Sequence, residues 1–313
     1  MSSSVLYDVP GPRAIVRNRI LGVVTVLVIA AIVGFILWRL FATGQFTAQK
    51  WAAFTYTRVW LDFAEATLAT LAAFAAAAVG ALILGFLLAI GRMSDHAWLR
   101  IPITGVIEFL RAVPVLIYMF LLYYGLPILG VRMPPYWAVV IALILYNGSV
   151  LAEVIRAGVE SLPRGQKEAG YAIGLRKSGV MRLVLLPQAI RAMMPVIIAQ
   201  LVVTLKDTAL GFIITYPELL FYAKYLGSQS GVGSPIIPAT IVAGAIYIAL
   251  CLILSFIANT VEKRLRRSGK GPVVQAGRPI QEVTDTELIV TQGTAGNRAR
   301  ARGADDGTTG GTV

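Results

Sequence analysis

Residues 161–189 read Ser161-Leu162-Pro163-Arg164-Gly165-Gln166-Lys167-Glu168-Ala169-Gly170-Tyr171-Ala172-Ile173-Gly174-Leu175-Arg176-Lys177-Ser178-Gly179-Val180-Met181-Arg182-Leu183-Val184-Leu185-Leu186-Pro187-Gln188-Ala189, and they decide how the rest of the chain is understood. The polar stretch they occupy, about 157–192, exceeds the roughly 12–15 residues beyond which a connection is usually functional or disordered. Its residue choices predict order. Ser161 followed by Pro163 predicts a helix start, with the hydroxyl as cap and proline tolerated in the first turn. Gly174 is placed to end that helix, because glycine adopts the left-handed conformation at no steric cost. A second short helix is expected from about Ser178 and is predicted to stop before Pro187, which cannot continue an interior hydrogen-bonded turn. The segment therefore predicts a lever of two short helices.

Outward from this loop both flanks turn apolar. Of 313 residues 57% are hydrophobic and 14% charged, too apolar for an ordinary soluble domain and long enough to cross a bilayer repeatedly. Six spans of about 20 apolar residues are expected: Ile20 to Phe41, Ala64 to Ile90, Ile103 to Leu126, Tyr136 to Val154, Met193 to Tyr216 and Ile237 to Val261. The third carries Glu108 and Arg111 near its start, so it is expected to enter the apolar zone at about Val113. Helices are the expected form, since lipid offers backbone groups no partners. Arg13, Arg17 and Arg19 before the first span imitate a signal peptide, but the apolar run is too long and lacks a clean cleavage site.

Twenty-two of the 28 lysines and arginines fall before Ile20, in 92–111, in 156–191 or after Val261. The positive-inside rule then predicts that both termini and the loop are cytoplasmic. The net charge of +12 is spread over these segments, which fits anionic headgroups better than nucleic acid. Cys251 is the only cysteine, so neither an intramolecular disulfide nor a cysteine metal site is expected. Residues 1–19 are an expected cytoplasmic tail, and 268–313, rich in Gly, Thr, Arg and Ala, are predicted to be disordered.

The loop then takes on a more specific meaning. Glu168-Ala169-Gly170, then Gly174, then Val184-Leu185-Leu186-Pro187 resembles the Glu-Ala-Ala signature loop of permeases of ATP-binding-cassette importers. Gly170 replaces the usual third alanine, and Val184 the usual isoleucine. Ser161 to Gln166, Leu186-Pro187-Gln188-Ala189 and Leu205-Lys206-Asp207-Thr208-Ala209-Leu210 are similar to the subgroup that imports polar amino acids. Glu108-Phe109-Leu110-Arg111-Ala112-Val113-Pro114 is similar to its Arg-Gly-Thr-Pro segment, with Ala112 and Val113 in place of Gly and Thr. The extra first span and Tyr7 to Pro12 resemble glutamate-system permeases of actinobacteria.

This resemblance implies an all-α integral membrane protein of the type I importer permease fold (MetI-like). It covers residues 62–264 as a five-helix core, to which the span 20–41 is added. It implies alternating access in a bacterial cell membrane, a second permease (identical or a sister chain), two ATPase subunits and an extracellular substrate-binding protein. ATP and Mg are implied only on the ATPase, and no cofactor, metal or catalytic residue is expected in this chain. Glu168, Ala169, Gly170, Gly174, Leu186 and Pro187 are the expected ATPase-coupling residues.

The candidate substrate path is Asn147, Lys206, Asp207 and Thr208, with Arg111. Charges inside spans are costly, so they face partners or water. Lys206 and Asp207 are adjacent and cannot face each other on a helix, and together with Asn147 they offer both a cation and an anion to an amino acid. Pairing across helices or across a permease dimer explains the same residues equally well. Glu108 with Arg111 and Glu153 with Arg156, each three apart, are expected local ion pairs. An ion-gradient-driven carrier is the principal rival, because it too needs midplane polar groups. An intramembrane enzyme finds little support: the sequence has no His-Glu-x-x-His, its single histidine, His96, lies in a loop, and Ser149 is the nearest candidate nucleophile. No phosphate loop is present to bind ATP.

Overall fold

The computed structural model describes residues 11–267 and is helical throughout, with no strand among the described residues. The chain divides into two units, Met1–Arg266 and Arg267–Val313, and the helices below belong to the first. The expected disordered tail 268–313 and the segment up to Pro10 lie outside the described residues.

Helix α1, Pro12–Ala42, has proline in its first turn, where the missing N–H costs nothing. Its apolar window is 0% buried, so its side chains are left for lipid. After the short α2, Ala48–Trp51, come α3, Thr57–Arg92, and α6, Pro135–Glu160, which form the packed centre. Ala73, Ala77, Ala81 and Gly85 of α3 are buried against Leu143, Gly148 and Leu151 of α6. A Cβ on Gly85 would lie 2.8 Å from Leu151 Cβ and 2.9 Å from the Gly148 carbonyl oxygen. Small residues let the two backbones approach this closely, which is how helices gain packing when lipid supplies no hydrophobic drive.

The expected third span is broken. Helix α4, Ala97–Ala112, and helix α5, Val115–Phe120, meet at 94°, with the second arm continuing to Leu129. Pro114 has no N–H and forces Val113 into an extended conformation (φ −91°, ψ 126°), so the helix cannot pass through. Tyr118 bridges the corner, its hydroxyl donating to the carbonyls of Leu110 (3.3 Å) and Phe109 (3.4 Å) that the break leaves open. Among the described residues five helices are long and apolar enough to span a membrane, and the expected six are reached only if this bent pair counts as one.

The loop is also rearranged from expectation. Ser161 does not cap the first loop helix. It follows α6 and donates to the Gly158 carbonyl at 2.9 Å, while α7, Arg164–Ala172, starts from Pro163. Nor does the second helix stop before Pro187. Lys177–Gly179 (α8) leads through a π turn, Val180–Leu185, into α9, Leu186–Asp207. The widened turn makes room for the proline ring, and Pro187 falls in the first turn of α9, where no N–H is required. A 3-10 turn Thr208–Ile214, then α10, Leu219–Gly227, and α11, Ile236–Arg267, complete the unit.

Candidate functional site

Helix α7 ends as its sequence predicts. Gly174 has φ +82°, its N–H bonds the Tyr171 carbonyl at 2.9 Å, and the Leu175 N–H bonds the Gly170 carbonyl at 3.1 Å. This double closure satisfies carbonyls that the helix end would otherwise leave open. Two side-chain tethers hold α7 and α8 in place. Gln188 Nε2 donates to Gln166 Oε1 (3.1 Å) and to the Val184 carbonyl (2.9 Å), tying α7 to the root of α9. Lys177 pairs with Asp95 and reaches the Met93 carbonyl (3.4 Å), tying α8 to the α3–α4 turn. The hydrogen bond from Lys177 holds the Asp95 carboxyl below its ordinary range.

The expected coupling residues separate into two groups. Glu168, Ala169, Gly174 and Pro187 are exposed, beside an Ile173 that is 77% exposed. Gly170 and Leu186 are buried and cannot themselves form a surface contact. Leu186 packs with Ala89, Ile107, Ala152 and Ile155, anchoring the loop in the core. Gly170 faces Val180: an added Cβ would lie 2.8 Å from Val180 Cγ2. Glycine here lets α7 lie against the π turn.

Below the loop Arg92, at the end of α3, lies 2.9 Å from Glu153 and 3.7 Å from Glu108. The Arg92–Glu153 contact is an ion pair without hydrogen-bond alignment. Arg156 pairs with Glu153, as expected, and with Glu160. The expected Glu108–Arg111 pair is not formed, since Glu108 turns to Arg92 and Arg111 lies exposed within electrostatic reach of Glu153.

The candidate path residues do not converge on one point. Asn147 is fully buried at the middle of α6, donating to the Leu143 carbonyl (3.0 Å) and accepting from Gln200 Nε2 at 2.7 Å. Lys206 lies six residues further along α9 than Gln200, about 9 Å at 1.5 Å per residue, so Asn147 and Lys206 occupy different levels. Lys206 is exposed and lines an open cavity of about 420 Å³ with Tyr247 and Cys251. Asp207 is half-buried beside it. Thr208 is buried, donating to the Leu205 carbonyl (2.7 Å), with its oxygen 3.5 Å from Tyr247 Oη. Tyr247 in turn donates to Glu218 at 2.6 Å, and the fully buried Glu218 accepts from the N–H groups of Leu220 and Phe221, capping α10.

Gln200, Glu218 and Tyr247 were not anticipated from sequence. Gln200 carried a usable signal, a lone amide in an apolar run. Glu218 stands where a polar cap is expected after Pro217, but nothing local announces its bond to Tyr247, 29 residues away. Among the described residues no group of three or more His, Cys, Asp or Glu could hold a metal.

A family described as "Binding-protein-dependent transport system inner membrane component" matches residues 81–267. The glutamate transport system permease protein GluD of Corynebacterium glutamicum is 37% identical over 232 residues, covering 71% of this chain and 82% of that protein. The arginine transport system permease protein ArtQ of Bacillus subtilis is 33% identical, with 60% and 85% covered. The crystal structure of "an amino acid ABC transporter with histidines" superposes with a TM-score of 0.61 at 28% identity, covering 68% of this chain and 97% of that one. The MetNI methionine transporter, at 16% identity and TM-score 0.56 over 67% and 99%, shares the fold.

Proposed function

Because the chain belongs to the family of binding-protein-dependent transport system inner membrane components, we propose that it is the membrane permease of an ATP-driven importer for a polar amino acid, glutamate being the favoured substrate. The observation that carries this reading is the tethered α7. Glu168 and Ala169, with Ile173 just beyond its end, face outward, while Gln188 fixes α7 to the root of α9 and Lys177 fixes the adjoining α8 to the α3–α4 turn. A helix held this way passes a push to α3 and α9, where a slack loop would absorb it. Similarity to GluD, at 37% identity, supports glutamate.

In this reading two ATPase subunits carry ATP and Mg, a second permease completes the pore, and a binding protein delivers substrate from outside. The loop and both termini face the cytoplasm of a bacterial cell. ATP binding draws the ATPases together, α7 follows, and the path opens outward by alternating access. Lys206, Asp207 and Thr208 serve the amino acid, Asn147 holds α6 to α9 beneath them, and Arg111 belongs with the ionic cluster.

Uptake of labelled glutamate is measured in vesicles holding this chain with its ATPase and binding protein. ATP-dependent uptake competed by aspartate or glutamate, and by neither arginine nor histidine, supports the assignment. Uptake driven by an ion gradient without the ATPase overturns it. Glu168→Lys reverses the charge on the exposed face and is expected to reduce uptake at least tenfold at unchanged membrane insertion; full uptake removes α7 from the mechanism.

A further inference from the structure

Two cavities open side by side at the loop end of the molecule. The first, of about 370 Å³, is lined by Arg92, Arg100, Arg156, Arg164, Lys167 and Lys177, against only two carboxylates, Asp95 and Glu160. Arg92 and Arg156 are matched by Glu153, Glu108 and Glu160, and Lys177 by Asp95. Among the described residues Arg100, Arg164 and Lys167 form no ion pair within 4 Å, Lys167 lying only within electrostatic reach of Asp95. Cations gathered around one concavity raise its potential until an anion enters. The second cavity, of about 340 Å³, adds Ile90 and Leu99, and shares Met93, Asp95, Lys177 and Met181 with the first. A basic pocket thus runs without interruption into an apolar groove. Next to Leu99 and Arg100, Trp98 is 75% exposed and Ile101 66% exposed, and exposed tryptophan is a residue type enriched where a membrane meets water.

We propose that this pair of cavities binds an anionic phospholipid, its phosphate among Arg100, Arg164 and Lys167 and the start of an acyl chain over Ile90 and Leu99. Basic pockets beside membrane helices are suited to such headgroups. A free phosphate satisfies only the first cavity and leaves the groove unfilled, which favours the lipid as the source of the anion. The pocket is bounded by α7 (Arg164, Lys167, Tyr171) and by the α3–α4 turn (Ser94, Asp95). A bound headgroup therefore bridges α7 and the start of α4 through their cations and stiffens the loop. Binding does not depend on the transport reading, so failure of one leaves the other standing.

The test uses the full chain purified with its ATPase, with lipid retention followed by native mass spectrometry. Phosphatidylglycerol and phosphatidylcholine of identical acyl chains are added separately, each with and without excess inorganic phosphate. Phosphatidylglycerol is expected to be retained over phosphatidylcholine and to resist displacement by phosphate. Arg100→Gln, at an exposed position outside the loop, is expected to weaken retention about fivefold, and Arg100→Gln with Arg164→Gln about 20-fold, the loss typical of surface charges facing anionic lipid. Leu99→Glu is expected to weaken it through the groove alone. Equal retention of the two lipids, or unchanged retention in the double variant, overturns the proposal. Displacement by inorganic phosphate overturns the lipid as the anion's source.

Discussion

Fully buried Asn147 and half-buried Gln200 form an amide pair, joined at 2.7 Å between two helices of a membrane protein. Such bonds contribute about 0.6 to 2 kcal/mol in membranes, because the separated helices find other partners. Asn147→Ala and Gln200→Ala are each expected to destabilise the purified chain, and the double variant to cost about 1 kcal/mol less than the sum of the two. Additive losses in thermal unfolding would mean that the pair contributes no coupling. Gly170 poses the opposite problem, one of space. Alanine is usual at this position in the resembling loops, yet here a Cβ meets Val180 Cγ2 at 2.8 Å, Cγ1 at 3.3 Å and Cβ at 3.5 Å. An added methyl therefore displaces the buried Val180 side chain or the backbone beneath it, at a cost on the order of 1–3 kcal/mol. Gly170→Ala is therefore expected to lower the unfolding temperature, and Val180→Ala to cancel that loss. A Gly170→Ala chain as stable as the parent would show that α7 floats free of the π turn.

At the scale of elements, Gly174 joins local chemistry to the rigidity of the lever. Its φ of +82° suits glycine, and placing a Cβ there costs about 1–2 kcal/mol while open space removes any steric excuse. Gly174→Ala is expected to fray the end of α7, so that ATP hydrolysis by the assembled complex continues while uptake per ATP falls severalfold. Unchanged coupling between the two rates would overturn this. The same region shows what sequence could reveal. Gly174 was legible because one residue type meets one backbone demand. The end of the second loop helix was not, because Pro187 stops an α-helix but sits comfortably after a π turn, and that turn depends on packing of Val180 and Leu185 that local pattern does not encode. The third span failed for a related reason. The expected span from Ile103 to Leu126 carries Glu108 and Arg111 near its start but no hydropathy signal for the bend, whereas the 94° corner follows from Pro114 and is sealed by Tyr118, eight residues beyond Leu110. Of the candidate path, the charged pair was legible as an expensive anomaly, but not the level of each residue, since Asn147 turned out to answer Gln200 and not Lys206.

For the whole described unit the tethers form a continuous frame. Exposed α7 is held through Gln166 and Gln188 to α9, the following α8 through Lys177 and Asp95 to the turn after α3, and Leu186 carries α9 into the core beside Ala89, Ile107 and Ala152. The dense contact of α3 with α6 then shares any displacement between them. Helix α1 stands apart from this frame. Its apolar window is 0% buried, against 61% for α6, so its removal exposes almost no interior surface. Stability follows the area buried on folding, and in a unit of this size about 1 kcal/mol shifts the unfolding temperature by about 2–4 °C. A chain lacking residues 1–42 is therefore expected to insert, to unfold within about 3 °C of the parent, and to assemble with its ATPase. Loss of more than about 10 °C in the purified chain would show that α1 packs on the core in the membrane. Intact stability with lost uptake would instead assign α1 a contact with another subunit of the importer.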